Sequence, residues 1–214
     1  MLAELLGYGS VLPNLAVLLR ARRAGANTRR VFGEEFPAVL AAAQQGSEAA
    51  FTRLWLDANP ALLRYLRVVA PETAEDAAAE TWVQVVRGLR RFRGDEAAWR
   101  AWLFTTARRR VIDASRRRSR HREEPLHEAP AEALPVAADA ADEAMERLGT
   151  QSAIALLGQL PRLQAEVILL RVLAGLDTNA VARLLGRSPG AVRIAGHRGL
   201  RRLAEILNRA GVTL

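Results

Sequence analysis

The side chains that could carry chemistry in this sequence are mainly arginines, and their chemistry is the binding of a polyanion rather than catalysis. All 31 basic residues are arginine, against 23 acidic residues, so the net charge is +8. There is no cysteine, which excludes disulfides, thiolate metal sites and thiol redox sensing. The three histidines, His121, His127 and His197, are too scattered to predict a zinc site. We also find no phosphate-binding loop of the Walker type, and we therefore expect no metal, no cofactor and no catalytic residues.

The densest group of arginines follows an aromatic loop. Residues 100–120 contain eight arginines and a single acidic residue, Asp113, which is more positive charge than a solvated helix face needs. Just before them, Phe92 lies among further arginines. This combination suits single-stranded nucleic acid, because guanidinium groups hold the backbone while bases stack or enter pockets. A basic helix for the major groove and a solvated basic tail are the alternatives.

A second basic stretch, 177–203, has the pattern of a helix-turn-helix. Gly186 breaks an apolar helical pattern, and Ser188 followed by Pro189 is a typical helix start. In this motif the second helix enters the major groove, where arginine near its start can pair with guanine. An ordinary amphipathic helical hairpin is the alternative. The predicted inward residues are Val181, Ala182, Leu184, Leu185 and Val192. The other faces of the second helix carry Arg193, His197, Arg198, Arg201 and Arg202.

Helices must position both stretches, and several of their ends can be predicted from local signals. Pro71 closes one helix, and the next runs from about Ala74 to Leu89, with Thr73 as its cap and Asp76 completing a capping box. Asp95 is the predicted N-cap of the arginine-bearing helix. The predicted inward residues are Ala78, Trp82, Val85, Val86 and Leu89 in the first of these helices, and Trp99, Trp102, Leu103, Thr106, Ala107 and Val111 in the second.

Acidic residues mark the outer side of the helix at 74–89. Glu75, Asp76 and Glu80 lie in its first turns. There they complement the helix dipole, or they form a small acidic docking face for a basic helix of a partner.

Charge and composition divide the chain into four segments. The net charges of 1–33, 34–120, 121–150 and 151–214 are +4, +4, −6 and +6. The third segment is rich in alanine and proline, which predicts a flexible acidic linker. The first is a basic extension, either an arm that docks on a partner or nucleic acid, or a non-essential terminus. We predict an all-α protein with two small helical domains, the second containing the helix-turn-helix.

No apolar run approaches the roughly 18 to 20 residues that would span a bilayer. The positive charges of the N-terminal stretch follow its apolar part, and a secretory signal has the opposite order. We therefore expect a soluble cytoplasmic protein with no membrane insertion.

Three segments together resemble the extracytoplasmic-function sigma factors of bacteria. They are AEDAAAETW (74–82), RFRGDEAAWRAWLFTTARRRVIDASRRR (91–118) and LPRLQAEVILLRVLAGLDTNAVARLLGRSPGAVRIAGHRGLRRL (160–203). The resemblance covers roughly 34–120 and 151–208. It implies a sigma factor that directs RNA polymerase to a stress or developmental promoter set. In such a protein, 34–120 is region two and 151–214 is region four.

The resemblance also implies partners and site residues. Core RNA polymerase (its beta-prime and beta subunits), promoter DNA in duplex and single-stranded form, and an anti-sigma factor are the implied partners. The polymerase contact, on a beta-prime coiled coil, would involve Asp76, Glu80, Trp82 and Gln84. The minus-ten element would be bound by Phe92, Arg93, Asp95, Arg100, Arg108 and Arg109. The minus-thirty-five element would be read by Arg187, Ser188, Arg193, His197, Arg198 and Arg201.

Some positions depart from the family pattern. The recognition helix has Ile194, Ala195 and Gly196 where polar or basic residues and an aliphatic one are common, and Gly199 adds another glycine. These glycines permit close backbone approach, or they soften the helix. Thr106 and Arg110 stand where apolar residues are frequent.

Two other classes of function are weighed against the sigma factor. One is a stand-alone helix-turn-helix regulator that binds duplex DNA without polymerase, and the second arginine-rich helix counts against it. The other is an enzyme acting on nucleic acid, which the lack of a paired-carboxylate or metal-ligand cluster makes a poor fit.

Overall fold

The computed structural model describes residues 31–121 and 153–209, and every regular element in these ranges is a helix. The N-terminal half contains α1 (Phe36–Gln44), α2 (Glu48–Val69), α3 (Ala74–Leu89) and α4 (Glu96–His121), with short 3-10 turns at Gly33–Glu35 and Pro71–Thr73. The C-terminal half contains a helical segment at 153–158, then α5 (Arg162–Val172), α6 (Thr178–Leu185) and α7 (Pro189–Arg209). The all-α fold class is confirmed. Most of the predicted extension and almost all of the predicted linker lie outside the described residues.

Side-chain caps fix several helix starts. The Asp95 carboxylate accepts the Ala98 backbone N–H at 2.8 Å, and the Ser188 hydroxyl accepts that of Ala191 at 3.2 Å, so both predicted caps are confirmed. Thr73 does precede α3, but its hydroxyl is buried and has no hydrogen-bond partner among the described residues. The predicted capping box is therefore wrong at this helix.

The N-terminal core forms where α2, α3 and α4 meet. From α2 it takes Leu62 and Tyr65, and from α4 Trp99 and Phe104, all about 0 to 1% exposed. Phe104 was not predicted. Val86 was predicted to be buried but is 55% exposed, because the inward stripe of α3 runs through Ala78, Trp82, Val85 and Leu89. Thr106 is half-buried, and its hydroxyl donates to the Trp102 carbonyl at 2.9 Å.

The two helical halves are in contact. Helix α5 lies against α2, and α6 lies against α4. Leu169 and Leu170 of α5 belong to the same apolar cluster as Leu66 of α2. One arginine of α4 also faces an acidic residue of α5, as described below. Among the described helices, none is long and apolar enough to cross a membrane.

Candidate nucleic-acid and partner interfaces

The loop between α3 and α4 is held by hydrogen bonds to its backbone. The Gln44 side-chain amide donates to the carbonyls of Leu89 and Phe92, at 2.9 and 2.8 Å. Arg93 is exposed, and its guanidinium donates to the carbonyls of Arg90 and Phe92, at 2.9 and 2.7 Å. These bonds fix the backbone of the loop, and a loop that is already ordered loses less conformational entropy on binding.

Phe92 packs inside the loop rather than projecting from it. Its ring stacks on Trp102, with centroids 5.1 Å apart and planes 19° apart, and meets Trp99 edge-on at 5.8 Å. Gly94 adopts φ +155°, and a β-carbon there would lie 2.7 Å from the Ala98 β-carbon. Phe92 is therefore a half-buried support of the loop, and its contact with the minus-ten element stays a prediction.

Arg100 was predicted to bind DNA, and the structure shows that this prediction is wrong. Its side chain is 2% exposed, with Nη2 2.6 Å from Oδ2 of Asp57 and 3.7 Å from Oε1 of Glu96. A guanidinium enclosed by two carboxylates in the protein interior cannot reach a phosphate. A charged helix residue is expected to be exposed, and only the packing of α4 on α2 brings Asp57 to Arg100.

Glu96 is a structural residue of this site that the sequence reasoning missed. Its carboxylate accepts three backbone N–H groups, those of Val31, Phe32 and Gly33, at 2.6, 3.3 and 3.2 Å. The four-residue spacing to Arg100 was a visible signal for an ion pair on one helix face. These bonds fasten the described end of the predicted extension to the start of α4, beside the loop.

The arginines of α4 differ in what they can reach. Arg109 is exposed and has no ion-pair partner within the described residues, so it can bind a phosphate. Arg108 is 26% exposed, and its Nε lies 3.6 Å from Oε1 of Glu166 in the other half of the molecule. Other arginines have acidic neighbours: Arg110 lies 3.1 Å from Asp113, Arg117 lies 3.7 Å from Glu80, and Arg118 lies 3.9 Å from Glu72.

Polar groups are buried where the halves meet. Glu166 is 4% exposed, and it lies 3.6 Å from Arg108 and 3.8 Å from Arg162. Burial raises the pKa of the Tyr65 hydroxyl above its ordinary value, and the negative charge of Glu166 raises it further. Tyr65 Oη, Arg108 Nε and Glu166 Oε1 make no hydrogen bond among the described residues. Several buried polar atoms at the contact between the halves therefore lack a hydrogen-bond partner among the described residues.

The outer face of α3 combines acidic and apolar side chains. Asp76 and Glu80 are exposed one turn apart, and Gln84 is half-buried one turn further on. Val83 and Val86 are 47% and 55% exposed on the same helix, and the sequence reasoning missed both as surface residues. These two side chains offer apolar area beside the acidic residues that a partner would remove from water.

Trp82 does not belong to this outer face. It is 9% exposed, its indole N–H donates to Oδ1 of Asn59 at 2.9 Å, and its ring meets Phe51 edge-on at 6.0 Å. Trp82 therefore holds α3 against α2, and its predicted contact with a partner is corrected to a packing role.

The helix-turn-helix is formed by α6 and α7. Asp177 caps α6 by accepting the Ala180 N–H at 2.7 Å, and Gly186 ends it in the left-handed region at φ +63°. On α7, Val192, Ala195 and Leu203 face the core. All six residues predicted to read the minus-thirty-five element are exposed on the turn or on α7: Arg187, Ser188, Arg193, His197, Arg198 and Arg201.

Two glycines bring α7 close to α5. A β-carbon at Gly199 would lie 2.8 Å from Cδ1 of Ile168 and 3.1 Å from the Gln164 β-carbon. A β-carbon at Gly196 would lie 3.3 Å from Cγ1 of Val167. The glycines therefore serve close packing of the recognition helix, one of the two alternatives left open by the sequence.

Comparison with known proteins places both halves in one family. Residues 57–121 match Sigma-70 region 2, and residues 150–203 match Sigma-70, region 4. The ECF RNA polymerase sigma factor SigD of Mycobacterium tuberculosis is 34% identical over 189 residues, covering 84% of this chain and 87% of SigD. The ECF RNA polymerase sigma factor ShbA of Streptomyces griseus is 34% identical over 181 residues, covering 79% of this chain and 93% of ShbA.

A solved structure has the same fold. The sigma factor RpoE from Bartonella quintana, in complex with the anti-sigma factor NepR, aligns with a TM-score of 0.55 at 22% identity. The alignment covers 74% of this chain and 96% of that one.

Proposed function

Because the chain belongs to the extracytoplasmic-function sigma factors, we propose that it binds core RNA polymerase in the cytoplasm and directs initiation at a specific set of promoters. The observation that carries the proposal is that one chain presents three separated surfaces. These are the acidic and apolar face of α3, the ordered loop before the basic helix α4, and the exposed basic face of α7. A stand-alone regulator would use only the last of them.

We assign the polymerase contact to the outer face of α3. Asp76 and Glu80 supply negative charge for a basic partner helix, and Val83 and Val86 supply apolar area that burial would stabilise. Gln84 lies at the edge of this face. Trp82 supports the face from inside through its bond to Asn59.

We assign the minus-ten contact to the loop and to the part of α4 that ends at Arg109. Arg93 and Arg109 are exposed there, and both can neutralise phosphates of the displaced strand. Asp95 serves as the N-cap that fixes the loop on α4. Arg108 could join this set only if Glu166 moved away from it. Opening the duplex needs no bond chemistry, because flipped bases held by protein offset the lost stacking.

We assign the minus-thirty-five contact to α7. Arg193 and His197 would contact base edges, and Arg198 and Arg201, which follow them along the helix, would bind phosphates. Arg187 and Ser188 lie in the turn, and Ser188 already caps the helix through Ala191. The remaining part of the proposal is an anti-sigma partner, as in the RpoE–NepR complex.

The proposal can be tested by combining polymerase binding with transcription. Purified protein is titrated into core polymerase, and the complex is tested for initiation on a genomic promoter library. We expect stoichiometric binding and initiation at a discrete set of promoters. Glu80→Arg should abolish polymerase binding, whereas the control Glu48→Arg, an exposed residue on α2, should retain it. A chain that ignores polymerase but shifts a duplex operator alone would be a stand-alone regulator.

A further inference from the structure

One exposed apolar residue lies on the second helix of the helix-turn-helix. Six large apolar side chains are exposed among the described residues, and Ile194 is the one on the recognition helix, at 55% exposure. Single exposed apolar residues are common and need no explanation in general. The exposure of Ile194 does call for an explanation, because the side chains that follow it on that face are basic or polar.

Ile194 begins a stripe along the exposed side of α7. His197, Arg198 and Arg201 follow it at spacings of three, four and seven residues, which places all four on one face. The opposite side is buried through Val192. Helix α7 begins at Pro189, so Ile194 lies in its second turn. Residues near the start of a recognition helix are those that contact base edges.

The chemistry of the major groove leaves one partner for such a side chain. The groove displays hydrogen-bond donors and acceptors at every base pair, and its apolar feature is the C5-methyl group of thymine. Isoleucine pressed against a donor or acceptor would leave that group without a partner, which costs free energy. A β-branched side chain in a helix also has one strongly preferred rotamer, so its methyl groups are held in place before binding.

We propose that Ile194 is a specificity-determining residue that contacts a thymine methyl group in the minus-thirty-five element. This inference rests on the proposed function. Promoters of this sigma factor would then require an A·T pair, with thymine on a defined strand, at the base that faces Ile194. The neighbouring arginines would set affinity and guanine preference independently of it.

Replacing thymine by uracil removes only the methyl group, so it tests the contact without altering the protein. The minus-thirty-five element is first defined by initiation from a randomised library with the reconstituted holoenzyme. Each thymine is then replaced by uracil in turn. We expect one position at which the substitution weakens promoter binding about three- to fivefold, the effect of one buried methyl-sized group.

The variant Ile194→Ala supplies the second arm. It should bind the thymine promoter about three- to tenfold more weakly than the parent, since a larger apolar contact is lost, and it should be insensitive to uracil at that same position. Leu56→Ala, an exposed apolar residue on α2, should keep both the affinity and the uracil effect. Because Ile194 is exposed, thermal unfolding of Ile194→Ala should match that of the parent.

The outcomes separate the two proposals. If the parent protein does not initiate with core polymerase, the proposed function fails. If it initiates but the element contains no thymine, or uracil is harmless at every position, or Ile194→Ala keeps the uracil effect, then the inference about Ile194 is overturned while the sigma assignment stands.

Discussion

Replacing Arg100 with alanine should destabilise the fold rather than weaken DNA binding directly. The guanidinium is 2% exposed and lies between the carboxylates of Asp57 and Glu96. Its removal leaves two negative charges close together, one of them 4% exposed and the other 12% exposed. Water cannot readily solvate either of them, so the cost falls on the folded state.

The magnitude can be bounded from the partners that remain. Losing one partner of a buried ion pair costs about 3 to 5 kcal/mol. Glu96 keeps its three backbone N–H donors, which places the expected loss in the free energy of unfolding near the lower value, about 3 kcal/mol. For a chain of this length, that loss corresponds to a fall in Tm of roughly 6 to 12 °C.

Arg109→Ala is the matched control, because Arg109 lies on the same helix as Arg100 but its side chain is exposed. This variant should change the free energy of unfolding by less than about 0.5 kcal/mol. It should nevertheless weaken binding to promoter DNA, and the salt dependence of binding should fall by the share of roughly one phosphate contact. Urea unfolding followed by the fluorescence of the four tryptophans measures stability. Promoter binding at several salt concentrations measures the phosphate contact. If Arg100→Ala unfolds like the parent and loses DNA affinity with a reduced salt slope, the structural role argued for Arg100 is refuted.

Four further changes probe the packing of α7 on α5 and the contact between the two halves. Gly199→Ala should lower the free energy of unfolding, because overpacking costs about 1 to 3 kcal/mol and the gain in helix propensity is only about 1 kcal/mol. Gly196→Ala should be close to neutral in the same urea titration, because its added β-carbon meets a single neighbour, Val167, at the longer distance of 3.3 Å. Tyr65→Phe should flatten the pH dependence of the free energy of unfolding above about pH 10. In the folded parent the raised pKa of Tyr65 keeps the phenol protonated, whereas the unfolded chain loses that proton near its ordinary pKa, so the parent becomes less stable as the pH rises. Equal alkaline slopes for the two proteins would contradict this. Glu166→Ala should loosen the contact between the two halves by removing the partner of Arg108. Energy transfer between dyes on cysteines introduced at exposed Gln45 and Arg187 should then fall, and an unchanged transfer efficiency would exclude that role.

Local signals were sufficient to predict much of the fold. The start and end of α3 follow from Pro71 and from a run of helix-forming residues up to the loop arginines, and both agree with the structure. Asp95 and Ser188 were predicted as caps because such residues accept backbone N–H groups at helix starts, a bond that needs only neighbours in sequence.

What the sequence could not predict depends on contacts between distant residues. The burial of Arg100 requires Asp57, which is 43 residues away. The exposure of Val86 depends on which of two adjacent apolar stripes of α3 meets α2. Likewise, the pairing of Arg108 with Glu166 joins the two halves, and no local pattern indicates it.

The close seating of α7 on α5 has an evolutionary consequence. Because the backbone at Gly199 nearly touches Ile168 and Gln164, a change in either supporting side chain would tilt or lift the whole recognition helix. The base contacts proposed for α7 would then shift together. Related chains with identical residues on the exposed face of α7 could therefore diverge in the genes they switch on through mutations hidden behind that helix.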